Sequence, residues 1–268
     1  MADVYATITQ ADPALVARVA AVLEQRAADP RQAQMRDAFL DAIEFPAGAE
    51  VVEIGCGSGA VCRAVATRSG VGEVVGVDPS PVLLERARDL AAGIPRLRFA
   101  EGDGRASGLA EASFDVVILY TTLCHVPEPA RAVAETYRLL RPGGTLAVFD
   151  GDYATTTVAL DRHDPLQCCV EAMIGGFVHA PWLARGLAPM LRAAGFRDIR
   201  TASHGYAAVD EPEYMLSVID RGADALVADG NVGAALADAL KSEARRRVET
   251  GRFFGQIGYF HAIGRKPV

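Results

Sequence analysis

VVEIGCGSGAVCRAVA, residues 51–66, carries an apolar, β-branched run into three glycines spaced by two and then into a helical pattern. Glycine is needed where backbone passes close to a ligand, and a helix beginning just beyond offers free N–H groups and a partial positive charge. Gly55, Gly57 and Gly59 set such a turn at the carboxyl end of a strand, the end at which open α/β sheets bind ligands. A tight strand-to-helix connection would also use glycines, so spacing has to decide. A dinucleotide turn reads G-x-G-x-x-G, whereas here Glu53 precedes a strict alternation, Glu53-x-Gly55-x-Gly57-x-Gly59. A carboxylate so placed repels a pyrophosphate and favours a ligand that carries positive charge.

Outward from this stretch, short apolar runs alternate with helical patterns from residue 50 to 150. Strands are expected at 49–54, 73–77, 96–100, 114–119 and 144–149, with helices near 60–68, 81–92 and 128–140 between them. That alternation builds a parallel sheet covered by helices on both faces. Pro79-Ser80-Pro81 reads as a helix start and Pro142-Gly143-Gly144 as a turn. Two amphipathic helices, 13–28 and 30–44, precede the sheet. Helices near 163–175 and 182–194, a strand at 196–203, two helices between 211 and 250 and a last strand at 253–264 follow it. No internal repeat or low-complexity linker appears. The expectation is a single domain over 1–268, with 1–45 an N-terminal helical cap, 46–150 the ligand-binding core, and 151–181 and 207–250 insertions around it.

Composition narrows the function classes. The chain has 268 residues, half of them hydrophobic, and a net charge of -7 with dispersed arginines, so the basic footprint of a nucleic-acid binder is missing. Arg245-Arg246-Arg247 follows Lys241 in an expected helix and reads as a solvated face. The N-terminus shows no charged segment followed by an apolar core and no run is long enough to span a bilayer, which leads to the expectation of a cytoplasmic protein without a membrane partner. The five cysteines contain no Cys-x-x-Cys pair, so reduced thiols are expected and neither a disulfide framework nor a structural zinc site is indicated.

The glycine stretch and its surroundings resemble the class I S-adenosylmethionine-dependent methyltransferases, whose first strand and loop read E/D-x-G-x-G-x-G. VGVDPS (75–80), EGDG (101–104), SFDVVILYTTLCHVPEP (113–129), LLRPGG (139–144) and AAGF (193–196) match the later motifs in order and spacing, over roughly residues 50–204. The chain is also similar to the quinone and secondary-metabolite methyltransferases in having N-terminal helices and a helical cap. The resemblance implies a seven-stranded, mostly parallel, doubly wound (Rossmann-like) sheet with an antiparallel last strand, and S-adenosylmethionine as cofactor. It places Asp78 on the ribose hydroxyls and Asp103 on the adenine amino group, with Pro79, Gly102, Gly104 and Tyr120 on the same wall. An ionised carboxylate is acceptor-only, which suits donors of both kinds. By the same analogy Arg36 is a candidate for the cation that meets the methionine carboxylate, although a plain surface arginine would read the same way.

Methyl transfer from a sulfonium is an in-line displacement with a neutral leaving group, so positioning carries much of the rate and a base is needed only for some acceptors. His125, in the loop after the fourth strand, is the candidate base; a locally packed histidine is the competing reading. Cys124 could be a nucleophilic thiol or simply a small buried residue. Asp150 and Asp152 are conceivable metal ligands, yet His163, His179, His204 and His261 show no pairing at helical spacing, and no metal is expected. Tyr5, Asp152, Phe177, Trp182 and Tyr206 are candidates for substrate contact, in segments suited to an apolar lid over a small molecule. A second subunit could pair through the N-terminal helices. Two other functions remain open: an NAD(P)-dependent oxidoreductase, for which Glu53 and Asp103 have no evident use, and a non-catalytic cofactor-binding protein.

Overall fold

A computed structural model of the chain describes Asp3, Tyr5 and residues 7–268. After a 3-10 turn at Ile8–Gln10 come α1 (Pro13–Ala28) and α2 (Pro30–Asp41). Each starts at an aspartate followed by proline. Asp12 accepts the amides of Ala14 and Leu15, and Asp29 those of Arg31 and Gln32, so orphan N–H groups at both helix starts are satisfied. Asp29 also accepts the hydroxyl of Tyr206 at 2.7 Å, which anchors the corner between the two helices to the sheet.

The core then alternates as β1 (Ala49–Ile54), α3 (Ala60–Ala66), β2 (Val71–Asp78), α4 (Pro81–Leu90), β3 (Leu97–Glu101), β4 (Phe114–Tyr120), α5 (Pro129–Leu139) and β5 (Leu140–Thr157). It continues with α6 (Gln167–Phe177), α7 (Leu187–Ala193), β6 (Arg197–Ala208), α8 (Glu213–Ala228), α9 (Ala234–Glu249) and β7 (Gly255–Arg265). The seven strands form one sheet in the order β3-β2-β1-β4-β5-β7-β6. β1 pairs in parallel with β2 and β4, and β7 runs antiparallel to both β5 and β6. The central strands are buried on both faces: Val51 and Val52, Val74 and Val75, Val116 to Leu119, and Leu146 to Phe149 are all closed to solvent. This is why they read as unbroken apolar runs rather than as alternation.

Several boundaries differ from expectation: α2 ends at Asp41 rather than at 44, and β6 runs on to Ala208 rather than to 203. The Pro142–Gly144 turn lies inside the long β5, where it coincides with a register shift against β4, and β5 runs on to Thr157 because antiparallel β7 supplies hydrogen bonds beyond the end of β4. The helix expected at 182–194 is broken into a 3-10 turn, Leu183–Gly186, and α7. The helix expected from 163 starts at Gln167, because the Asp164 carboxylate first folds the preceding loop by accepting the amides of Leu160 and Leu166. Beyond the sheet, α6 and α8 cross so closely that a Cβ on Gly222 would lie 1.8 Å from the Cys169 carbonyl oxygen. Among the described residues no helix is long and apolar enough to cross a membrane.

Candidate active site

Strand order reverses at β1, between β2 and β4, and the crevice at this switch point opens at the carboxyl ends of the strands. A cavity of about 240 Å³ occupies it. The glycine turn forms its floor. Gly55, Gly57 and Gly59 all have positive φ, and a Cβ on Gly55 would lie 2.3 Å from the Thr122 methyl carbon, so no other residue fits there. The Gly55 and Cys56 amides both donate to the Val77 carbonyl, at 2.7 and 3.0 Å, which ties the turn to the end of β2.

Two buried carboxylates stand beside this turn. Asp78 accepts the Gly57 amide at 2.8 Å on one oxygen and the Ser80 amide at 2.9 Å on the other, which leaves lone pairs on both. Burial pushes its carboxyl up to about 6 against the opposing pull of those amides. Glu53 is more deeply enclosed, with the Cys62 thiol 2.8 Å from its Oε2, and burial pushes it up to about 8. Near neutrality Glu53 is therefore largely protonated until a cation enters beside it. Asp103 lies at the cavity rim, half-exposed and gripped by Arg105 at 2.6 Å, an ion pair that holds its carboxyl below the usual range. Gly104, Pro79 and Tyr120 line the same wall, whereas Gly102 packs behind it against Ser107 and Val77.

Helices α1 and α2 roof the cavity with Leu23, Arg26, Gln32 and Arg36. Glu24 fastens the roof: its carboxylate receives the Ser58 hydroxyl at 2.6 Å and the Arg63 guanidinium at 2.8 Å, both beside the glycine turn. Arg36 reaches the cavity while its Nε donates to Asp37 at 3.0 Å. Sequence reasoning missed Arg26, although the signal was there. The buried face of α1 runs through Val16, Val19 and Ala20, and the same helical spacing leads on through Leu23 to position 26. At the opposite wall Thr121, a β-branched residue with φ +50, is held in a strained conformation by its amide bond to the Phe149 carbonyl and by Arg26 on its hydroxyl.

His125 lies in a 3-10 turn after β4 and on the cavity wall, its Nδ1 2.8 Å from the buried carboxylate of Asp3, which also accepts the His179 amide. Tyr5 lines the cavity too and packs on the His125 ring at 4.4 Å. Asp3 carried no periodic signal in the sequence. The other expected substrate contacts lie elsewhere. Trp182 is 60% exposed, with Arg185 stacked on it at 4.2 Å, and Asp152 pairs with that arginine at 2.8 Å. Tyr206 is buried on Asp29, and Phe177 packs in the apolar core beneath Arg221. Asp150 spends its oxygens on the Cys124 and Gly151 amides, and burial holds the Cys124 thiol far above the range in which it would ionise. Among the described residues no cluster of three or more His, Cys, Asp or Glu side chains is arranged to hold a metal ion.

Comparison with known proteins agrees with this architecture. A family model described as a methyltransferase domain matches residues 52–148. The chain is 32% identical to trans-aconitate 2-methyltransferase of Deinococcus radiodurans, over 68% of this chain and 66% of that protein. The chain belongs to the class I S-adenosylmethionine-dependent methyltransferases. It is also 33% identical to 2-phytyl-1,4-naphtoquinone methyltransferase of Thermosynechococcus vestitus, over 44% of this chain and 53% of that protein. A crystal structure of a Bacillus halodurans protein named as a methyltransferase superposes with a TM-score of 0.63 at 21% identity, covering 87% of this chain and 99% of that one, and so shares the fold. The chain spans between 51% and 66% of the length of the first curated relatives it matches.

The residues present fit the family's cofactor. Asp78 keeps free lone pairs that would take two ribose hydroxyls, Asp103 stands at the rim where it would meet the adenine, and Glu53 and Arg36 line the cavity where they would meet the ammonium and carboxylate of the methionine part. When bound, S-adenosylmethionine supplies an activated methyl group on a sulfonium.

Proposed function

We propose that this protein transfers a methyl group from S-adenosylmethionine to a small-molecule acceptor, in quinone-type or secondary-metabolite biosynthesis. The observation that carries the reading is the cavity at the switch point, where two buried carboxylates flank a glycine turn and helices close the other side. A polymer would need an open basic groove, whereas α1 and the N-terminal segment enclose this site and the net charge is -7. The relatives named for trans-aconitate and a phytyl-naphthoquinone support a small acceptor.

In this reading the chain binds, orients and excludes water. Asp78 and Asp103 hold the nucleoside part, Glu53 and Arg36 the amino-acid part, Tyr120 lines the cofactor pocket, and the loop after β4, which begins at Thr121 and carries His125, faces the acceptor. His125 takes the acceptor's proton where one must leave. With Nδ1 donating to Asp3, the neutral ring has Nε2 as its free acceptor, the arrangement a general base requires. Incubation with S-adenosylmethionine and a metabolite extract, followed by mass spectrometry, should reveal a product 14 Da heavier than an extract component by the replacement of H with CH₃. A cofactor-saturated enzyme that methylates nothing small would contradict the reading.

A further inference from the structure

Arg26 is the group that the account so far leaves unused. It lines the cavity, and no carboxylate among the described residues lies within ion-pair distance of it. Its Nη1 donates to the Thr121 hydroxyl at 2.9 Å, and its Nε makes a long bond to Gln32 Oε1 at 3.4 Å. Its Nη2 is buried with no hydrogen-bond partner among the described residues. The guanidinium rests against the rings of Tyr120 and Tyr259 at 5.7 and 5.6 Å, contacts that support a cation without neutralising it. A buried charge is costly unless it is paired and hydrogen-bonded. The other arginines of the cavity, Arg36 and Arg105, already have Asp37 and Asp103 as partners.

We propose that Arg26 binds an anionic group of the methyl acceptor, which makes the substrate class small carboxylic acids. This deepens the proposed function and rests on it. The guanidinium has five donors, of which Thr121 and Gln32 take two, and the edge formed by Nη1 and Nη2 matches the two oxygens of a carboxylate. Thr121, fixed by that same arginine, begins the loop after β4 that carries His125, the candidate base, so the anion docks on the acceptor side of the cavity and not along the glycine turn. Nη2 is closed to solvent, so the arginine or α1 makes a small movement when the anion binds.

The test compares wild type with Arg26→Gln and Arg26→Lys by calorimetry, using S-adenosylhomocysteine, 5′-methylthioadenosine, and then a panel of benzoate, salicylate, succinate and tricarballylate added to the homocysteine complex. Methylthioadenosine lacks the amino-acid part, so it separates the cofactor's carboxylate from the acceptor's. The expected result is that R26Q binds both nucleosides within about threefold of wild type, which also shows that it folds. At least one carboxylate should bind the wild-type complex, lose tenfold or more in R26Q, recover in part in R26K, and bind poorly as its methyl ester. A selective tenfold loss of S-adenosylhomocysteine, with methylthioadenosine unchanged, would give Arg26 to the cofactor and overturn the proposal. Carboxylates that bind R26Q as well as wild type, or a wild-type complex that takes none of the panel, would overturn it too. Failure of wild type to bind S-adenosylhomocysteine would overturn both this proposal and the methyltransferase reading beneath it.

Discussion

Glu53 and Asp78 show how single residues trade stability for a ligand. The folded carboxyl of Glu53 titrates near 8 against an ordinary value of 4.5, so the stability of its protonated form is complete below about 4.5 and is lost as pH rises through 8. Glu53→Gln should therefore melt at increasingly higher temperature than wild type between pH 5 and 8. The gap grows by at most about 1.4 kcal/mol per pH unit, or about 2–4 °C per kcal/mol for a chain of this size. The same variant should bind S-adenosylhomocysteine more weakly; equal melting curves across this pH range would refute the assignment. Asp78, near 6, must be ionised to accept two hydroxyls. Wild-type affinity for S-adenosylhomocysteine should fall below pH 6 by up to about tenfold per unit, while Asp78→Asn should bind about 10–100-fold more weakly at pH 7.5 and lose that pH dependence. Titration of both proteins by calorimetry from pH 5 to 8 checks this. Both carboxylates were legible in the sequence because they sit at fixed offsets from strand ends and glycines. Arg26 stood at helical spacing from the buried face of α1, but its role, like that of Asp3, depends on how the N-terminal residues fold back over the sheet, and the motifs do not encode that. Trp182 and Tyr206 misled for the converse reason: an aromatic in an insertion looks the same whether it faces a ligand, solvent or a neighbouring helix.

At the scale of elements, α1 is both roof and latch. Its contact with the glycine turn runs through the buried Ser58 and through the Glu24–Arg63 pair, which is only partly buried. Such a pair is worth about 0.2–1 kcal/mol, so Glu24→Ala should leave the fold intact and raise the dissociation rate of S-adenosylhomocysteine about two- to fivefold in stopped-flow measurements. An unchanged rate would show that α1 does not gate the cavity. The strands of the core were legible as apolar runs bounded by turn residues. The length of β5 was not, since its last residues are held by β7, which lies about a hundred positions further along the chain. The split at Gly186 and the late start of α6 follow from local capping and turn bonds that compete with helical periodicity.

For the whole molecule, topology creates the site: reversal of strand order at β1 opens the crevice, and the pieces that close it come from the N-terminal segment and from the loop after β4. A ligand that bridges these pieces binds only the folded state. S-adenosylhomocysteine at about a hundred times its dissociation constant should add about 2.7 kcal/mol and raise the melting temperature by about 5–10 °C, which differential scanning fluorimetry would detect. The seven-stranded sheet with its antiparallel last strand was readable through family resemblance and the βαβ alternation from residues alone, whereas the strand order came only with the structure. The enclosure of the cavity emerges only in three dimensions. The most direct test of the central claim is calorimetry of the intact protein with S-adenosylhomocysteine beside NAD and NADP. Micromolar binding of S-adenosylhomocysteine with no heat from either dinucleotide is the predicted result. Binding of a dinucleotide without S-adenosylhomocysteine would contradict the roles assigned to Glu53, Asp78 and Asp103.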